Sequence, residues 1–234
     1  MKKLIIIPAY NEEASIFNTV SEIVEHAPEF DYVVINDCST DHTKKICEEN
    51  HFNVINLPMN LGIGGAVQTG YKYAQRYGYD CAVQVDGDGQ HRVDFLKKMV
   101  QVMEDEQCDM VIGSRFIEKQ GFQSTGLRRI GIKYFSLLIK LLSGTYIADP
   151  TSGLRLIGKK AIESFANDYP KDYPEPETTM RLLKKGLKVK EIPVIMRERQ
   201  GGVSSISTIK KSSYYMVKVT IAILLVAMGR KVSE

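Results

Sequence analysis

The run Val83-Gln84-Val85-Asp86-Gly87-Asp88-Gly89-Gln90 sets two carboxylates two residues apart where a short apolar run ends, with glycines on either side of Asp88. Glycine lets the backbone turn sharply at such a point. Hard divalent cations take oxygen ligands, and Mg2+ or Mn2+ commonly bridges one or two carboxylates to a substrate's phosphates. Asp88 and Gln90 are the candidate metal ligands, with Asp86 on the metal or on a ribose hydroxyl. An ordinary turn fits the same residues, since Asp-Gly is a common turn dipeptide. Placement in the fold has to decide between the two.

Other polar groups fall at comparable points. In Pro8-Ala9-Tyr10-Asn11-Glu12, Pro8 ends an apolar run, Tyr10 offers a flat face to a base, and Asn11 reads as the cap of a coming helix. Glu12 and Asp37 are acceptors suited to a base N–H or ribose hydroxyls, although Asp37 fits an Asx-turn equally well and Asp41 reads as a helix cap. Glu175 and Glu177 stand at the start of a helical stretch, where acids are favoured by the helix dipole and where a carboxylate can also act as a general base. The glycines of Asn60-Leu61-Gly62-Ile63-Gly64-Gly65 follow the third strand, not the first, and read as close helix packing instead of a dinucleotide loop. The four histidines form no metal set, and serine, histidine and aspartate form no nucleophile elbow.

These residues need a scaffold, and the apolar pattern supplies one. Leu4–Ile7, Tyr32–Ile35, Val54–Leu57, Ala82–Val85 and Met110–Ile112 read as short buried strands. Between them Glu13–Glu25, Asp41–Glu49, Gly65–Arg76 and Val93–Glu104 read as helices, so an α/β fold with a mostly parallel sheet covered on both faces is expected. Ligands in such sheets bind beyond the carboxyl ends of the strands, and the acidic pair follows the fourth. Further on come an apolar helix, Gly126–Leu142, with Arg128 and Arg129 near its start, a helix over Pro176–Lys185 and a strand over Lys188–Val194. The expected organisation is one domain over residues 1–207 and a C-terminal apolar, amphipathic helix over 208–234.

The 31 basic and 28 acidic residues, a formal charge of +3, balance too evenly for a nucleic-acid protein. Four cysteines without CxxC spacing read as reduced thiols, and the chain starts directly on a strand, so a cytoplasmic location is expected. Tyr214–Met228 is apolar apart from Lys218 and Thr220, which is short for a span of about 20 residues. An in-plane anchor on the inner face of the cell membrane, or a dock for a small membrane-protein partner, fits it better.

Taken in order, Pro8–Glu12, Asn36-Asp37, Asp86-Gly87-Asp88, Gly113-Ser114-Arg115, Asp149-Pro150-Thr151-Ser152-Gly153-Leu154-Arg155, Glu175-Pro176-Glu177 and Arg199 to Ser204 resemble the inverting glycosyltransferase family that includes dolichyl-phosphate mannose synthase. The resemblance implies a GT-A fold, a nucleotide-diphosphate sugar donor, most simply with UDP, and a polyprenyl-phosphate or lipid-linked saccharide acceptor at a membrane surface. It implies that Pro8, Ala9, Tyr10, Glu12, Asp37, Asp86 and Asp88 meet the donor, and that Asp86, Asp88 and Gln90 hold Mg2+ or Mn2+. It places Arg115, one of Arg128 or Arg129, Ser152, Arg199 and Ser204 at the acceptor phosphate, with Asp88, Arg115, Glu175 and Glu177 as catalytic candidates. Ser205 departs from the pattern, standing where such enzymes often carry a basic residue. A sugar-to-sugar transferase, for instance a rhamnosyl transferase of cell-surface polysaccharide synthesis with a glutamate base, and a non-catalytic nucleotide-sugar-binding subunit remain as alternatives.

Overall fold

A computed structural model describes residues 1–89, 92–118, 126–197 and 209–229. Gln90, Arg199, Ser204 and Ser205 lie outside the described residues. Seven strands, β1 (Lys3–Ala9), β2 (Asp31–Asn36), β3 (Val54–Asn56), β4 (Cys81–Gln84), β5 (Met110–Ser114), β6 (Arg155–Gly158) and β7 (Val189–Pro193), form one sheet in the order β3-β2-β1-β4-β6-β5-β7. All neighbours are parallel except at β6, which runs antiparallel to both β4 and β5.

β1 sits near the middle and is buried on both faces, which explains its unbroken apolar run. Ile5 and Ile7 face a core built with α1 (Ile16–His26), α2 (Thr43–Glu49) and α4 (Phe95–Asp105). Leu4 and Ile6 face the other core, made with α3 (Gly62–Arg76), α5 (Gly126–Ser143), α6 (Lys159–Asn167), α7 (Pro174–Lys184) and α8 (Ile209–Ala227). Each such side chain contributes roughly 1.5–3 kcal/mol by leaving water. The C-terminal helix belongs to this second core: Val219, Ile223 and Val226 are buried in it, and α8 packs on α7 and α5.

Two glycines of α3 have packing reasons. A Cβ on Gly70 would lie 2.2 Å from Ile6 Cγ2, and one on Gly64 would lie 2.0 Å from the carbonyl oxygen of Pro170. The first lets α3 press on the sheet; the second joins its start to the loop before α7. Close packing, as expected for the glycine run, is what these positions do.

Three differences from the sequence expectations matter. Pro8 does not end β1: Pro8 and Ala9 still pair with Ile35 and Asn36 of β2, whereas pairing with β4 stops at Ile6 and Gln84. Alternation along the strand turns the Pro8 nitrogen toward the β4 side, where no ladder bond is required of it. Asn11 does not cap α1; it takes a positive φ of 55° after β1, and Ser15 precedes the helix. Residues 155–167, where no elements were expected, form β6 and α6, because a four-residue strand that begins on a buried arginine carries no legible period.

The chain leaves β1 toward β2 and β3 on one side and continues from β4 on the other. At such a switch point the loops after neighbouring strands part and open a crevice.

Candidate active site

The loops after β1 and β2 form the first wall. The Asn11 amide oxygen accepts from the Thr40 N–H (2.8 Å), the Asn11 N–H donates to Ser39 Oγ (3.0 Å), and the Glu12 N–H donates to Thr43 Oγ1 (2.8 Å). Asp41 accepts from the N–H groups of Thr43 (2.9 Å) and Glu13 (3.0 Å), so it ties the two loops besides leading into α2. Glu12 accepts from the Ser15 hydroxyl at 3.0 Å. Tyr10 stands half-exposed on this rim, and Ala9 is buried beneath it. Asp37 is buried and accepts from the Leu61 N–H (2.7 Å), which fixes the start of α3; burial pushes its carboxyl above the usual range, opposed by that hydrogen bond.

The acidic pair lies beside this wall. A Cβ on Gly87 would come within 3.1 Å of the Pro8 carbonyl oxygen, and the Thr19 hydroxyl donates to the Gly87 carbonyl (3.2 Å), so the β4 loop is packed against the β1 loop. Asp88 is 1% exposed. The Gln84 amide donates to Asp86 Oδ1 (2.9 Å), leaving Gln84 Oε1 buried without a hydrogen-bond partner among the described residues. That side chain is committed to aiming a carboxylate, which an incidental turn would not need. Two carboxylates in the loop after β4, Asp86 aimed by Gln84 and Asp88 buried, fit a hard divalent cation that takes its other ligands from phosphate and water. Among the described residues no three His, Cys, Asp or Glu side chains gather as a self-sufficient metal set.

The third wall comes from the second half of the chain. Arg115, at the end of β5, holds Asp149 in a fork, Nε to Oδ2 and Nη2 to Oδ1 at 2.7 Å each, and donates to Thr151 Oγ1 at 3.0 Å. Glu191 of β7 accepts from the N–H groups of Ala148 (2.6 Å) and Asp149 (2.8 Å), although burial pushes its carboxyl up. Ser152 is buried, and its hydroxyl donates to the Gly113 carbonyl (2.6 Å). It is therefore a strut between loops, not a surface group offered to a phosphate.

Arg155 was not singled out by the sequence, yet it organises this wall. It is fully buried and donates to the carbonyls of Ser152 (2.6 Å), Pro150 (2.6 Å) and Glu175 (2.5 Å) and to the hydroxyls of Thr178 (3.1 Å) and Thr179 (3.0 Å). Its position two residues after Gly153, closing the motif that begins at Asp149, was the available signal.

The two glutamates of α7 part company. Glu177 is buried against Arg181 (2.7 Å), which also reaches Asp168 (3.0 Å). Glu175 instead lies in the fields of Arg155, Asp86 and Arg115, and burial raises its pKa. Of the pair, Glu175 is the one within electrostatic reach of the acidic loop. The arginines of α5 separate likewise: Arg129 lines a shallow surface pocket of about 220 Å³ with Gly126, Ile130 and Lys133, whereas Arg128 lies in electrostatic reach of Tyr215, as do Glu175 and Arg115.

Known proteins resemble this chain in sequence and in fold. The UDP-N-acetylglucosamine–dolichyl-phosphate N-acetylglucosaminyltransferase of Methanococcus voltae is 32% identical over 210 residues, covering 81% of this chain and 83% of that protein. The undecaprenyl-phosphate mannosyltransferase of Micrococcus luteus is 30% identical over 221 residues, 88% of each. The crystal structure of glucosyl-3-phosphoglycerate synthase from Mycobacterium tuberculosis with Mn2+, uridine diphosphate and glucosyl-3-phosphoglycerate matches with a TM-score of 0.72 at 19% identity, over 99% of this chain and 81% of that one, a likeness of fold. The expected GT-A architecture is the observed one. The profile of glycosyl transferase family 2 matches residues 4–165, from β1 through the acidic pair to α6, and the chain belongs to that family.

Proposed function

We propose that this protein transfers a sugar from a nucleotide diphosphate, with uridine as the base, to a polyprenyl phosphate at a membrane surface, inverting the anomeric carbon. One observation carries the reading: Asp86, aimed by Gln84, stands two residues before the buried Asp88 in the loop after β4, and Asp86 and Arg115 both act on the Glu175 carboxyl from the far side of the chain. The named relatives supply the acceptor class, and the Methanococcus protein the uridine donor.

The donor lies along the rim of Tyr10, Glu12 and Asp37, its diphosphate toward Asp86 and Asp88. Mg2+ or Mn2+ held by those two carboxylates would neutralise the charge of the leaving diphosphate. An acceptor phosphate oxygen attacks the anomeric carbon, and the bond to the diphosphate breaks with its electron pair. A phosphate is already an anionic nucleophile, so no strong base is needed. Arg128 and the Arg115 loop offset its charge, and Glu175, held toward its neutral form by burial, repels it less than an ordinary carboxylate would.

Membrane contact has its own support. Ile130, Tyr134, Leu137 and Leu141 of α5 and Tyr214, Val217, Ile221 and Leu224 of α8 are exposed, and Tyr134 and Thr220 meet (3.3 Å). Among the described residues no helix is long and apolar enough to cross a membrane. The exposed faces suit peripheral association, directly or through a small membrane-protein partner.

Incubating the full chain with a panel of radiolabelled nucleotide sugars, a short polyprenyl phosphate and Mg2+ or Mn2+ tests the reading. Lipid-linked product from one donor, lost on chelation and at least 100-fold lower in Asp88→Asn, is expected. Metal-independent transfer, or full turnover by Asp88→Asn, would overturn it. A hydroxyl-bearing saccharide acceptor is favoured instead only if Glu175 acts as a base, which acceptor titrations across pH distinguish.

A further inference from the structure

α8 does more than cover a core. The whole helix lies outside the segment matched by the family profile, yet it packs one aromatic side chain, Tyr215, against α5 and the start of α7. The Tyr215 ring is gripped edge-on from two sides, by Phe135 of α5 (centroids 5.6 Å apart, 88° between planes) and by Tyr173 just before α7 (4.7 Å, 77°). The helix register that places it is pinned independently. Lys218 pairs with Asp172, the Thr220 hydroxyl donates to Tyr134 Oη (3.3 Å), and Gly131 leaves room for Met216, whose sulfur a Cβ there would approach to 3.0 Å.

Charged groups of four elements lie within electrostatic reach of the Tyr215 phenol: Glu175 of α7, Arg128 of α5, Arg155 of β6 and Arg115 after β5. Burial holds the phenol in its neutral form, so it is an O–H donor beside guanidiniums and a carboxyl. A ring that only filled space would be served by phenylalanine, whereas tyrosine at this place sets a rigid donor among three guanidiniums.

We propose that Tyr215 is an acceptor-binding residue, its hydroxyl donating to an oxygen of the acceptor phosphate between Glu175 and Arg128, so that α8 completes the reaction site. This deepens the function proposed above and rests on it. The same helix turns Tyr214, Val217 and Ile221 outward. Seating that face on a membrane therefore also seats a group that binds the lipid's phosphate.

The test uses the full chain and polyprenyl phosphate. Tyr215→Phe keeps the ring and its edge contacts, and is expected to raise the acceptor KM about tenfold, the worth of one hydrogen bond to an anion. The donor KM, the Tm and kcat should stay within about twofold of wild type on the same estimate. Incorporating 3-fluorotyrosine at 215, which leaves packing intact and strengthens the donor, should lower the acceptor KM, and it reads the role even if Tyr215→Phe folds poorly. An acceptor KM unmoved by 3-fluorotyrosine, or by a Tyr215→Phe protein with wild-type Tm, overturns the role of Tyr215 alone, provided the wild type transfers sugar to polyprenyl phosphate. A wild type that transfers to no polyprenyl phosphate overturns the parent function and this role together.

Discussion

Glu175 shows how one titratable group can separate two chemistries. Its carboxyl is pushed above the ordinary carboxylate range by burial, with Asp86 adding to the shift and Arg155 opposing it. If the acceptor is a phosphate, the ionised carboxyl repels it, so the charge on Glu175 is a hindrance that vanishes as pH falls through its raised pKa. Glu175→Gln, neutral at every pH, should then have a lower acceptor KM than wild type at pH 8, the two converging as the solution is acidified. If the acceptor is a hydroxyl, the ionised form is the base. Activity would then collapse on the same acidification, and Glu175→Gln would lose about 10²–10⁴ in kcat. Acceptor titrations of both proteins across pH decide, because the two readings have opposite signs. Glu177→Gln should leave turnover alone and cost about 1–3 kcal/mol of stability in urea, since it removes a carboxylate from a buried pair with Arg181.

The helices hold these residues by backbone contact at places where sequence patterns are silent. α3 is the clearest case: close packing is expected of its glycine run, and the fold names what Gly64 of that run and Gly70 beyond it pack against. Gly70→Ala presses a methyl into Ile6 and should cost about 1–3 kcal/mol, as overpacking does. Gly64→Ala meets the carbonyl oxygens of Pro170 and Lys171, which are main chain and cannot rotate aside, so it should be the more damaging of the two. The comparison is made by urea denaturation of both variants, and equal costs would contradict it. A loss at Gly64 should also raise the acceptor KM, because residues 170–171 lead directly into Tyr173 and the glutamates of α7.

Across the whole molecule, two helices of the second half combine polar groups near the site with an exposed apolar face. The exposed side chains of α5 and α8 belong to the helices that carry Arg128 and Tyr215. Leu137→Glu with Leu141→Glu places two charges on a face where Leu141 is 82% exposed, so the fold should be undisturbed. Co-sedimentation with vesicles containing anionic lipid should fall at least tenfold, since each buried leucine is worth roughly 1.5–3 kcal/mol, while hydrolysis of the donor in water stays unchanged. Retained vesicle binding would show that this face does not meet lipid.

Much of this architecture was legible in the chain alone. Leu4–Ile7, Tyr32–Ile35 and Ala82–Val85 announce buried parallel strands because burial on both faces demands unbroken apolar runs. A strand's end is a local feature, so Asp37, Asp86, Asp88 and Arg115 could be put at the ligand edge without coordinates. What the residues after Gly121 do was decided by pairing across long separations. Asp149 lies 34 residues from the Arg115 it grips, and Glu175 is 20 residues from the Arg155 that donates to its carbonyl. β6 exists because β4 and β5 leave a place for an antiparallel strand between them. No period in the sequence distinguishes Glu175 from Glu177, which share the first turn of α7; only packing turns one to Arg181 and puts the other within electrostatic reach of the acidic loop. The acidic pair itself was ambiguous with a plain turn. Only the tertiary structure shows the buried Gln84 amide aiming Asp86, and Glu175 of the second half under the charges of Asp86, Arg115 and Arg155, because both depend on packing between distant segments.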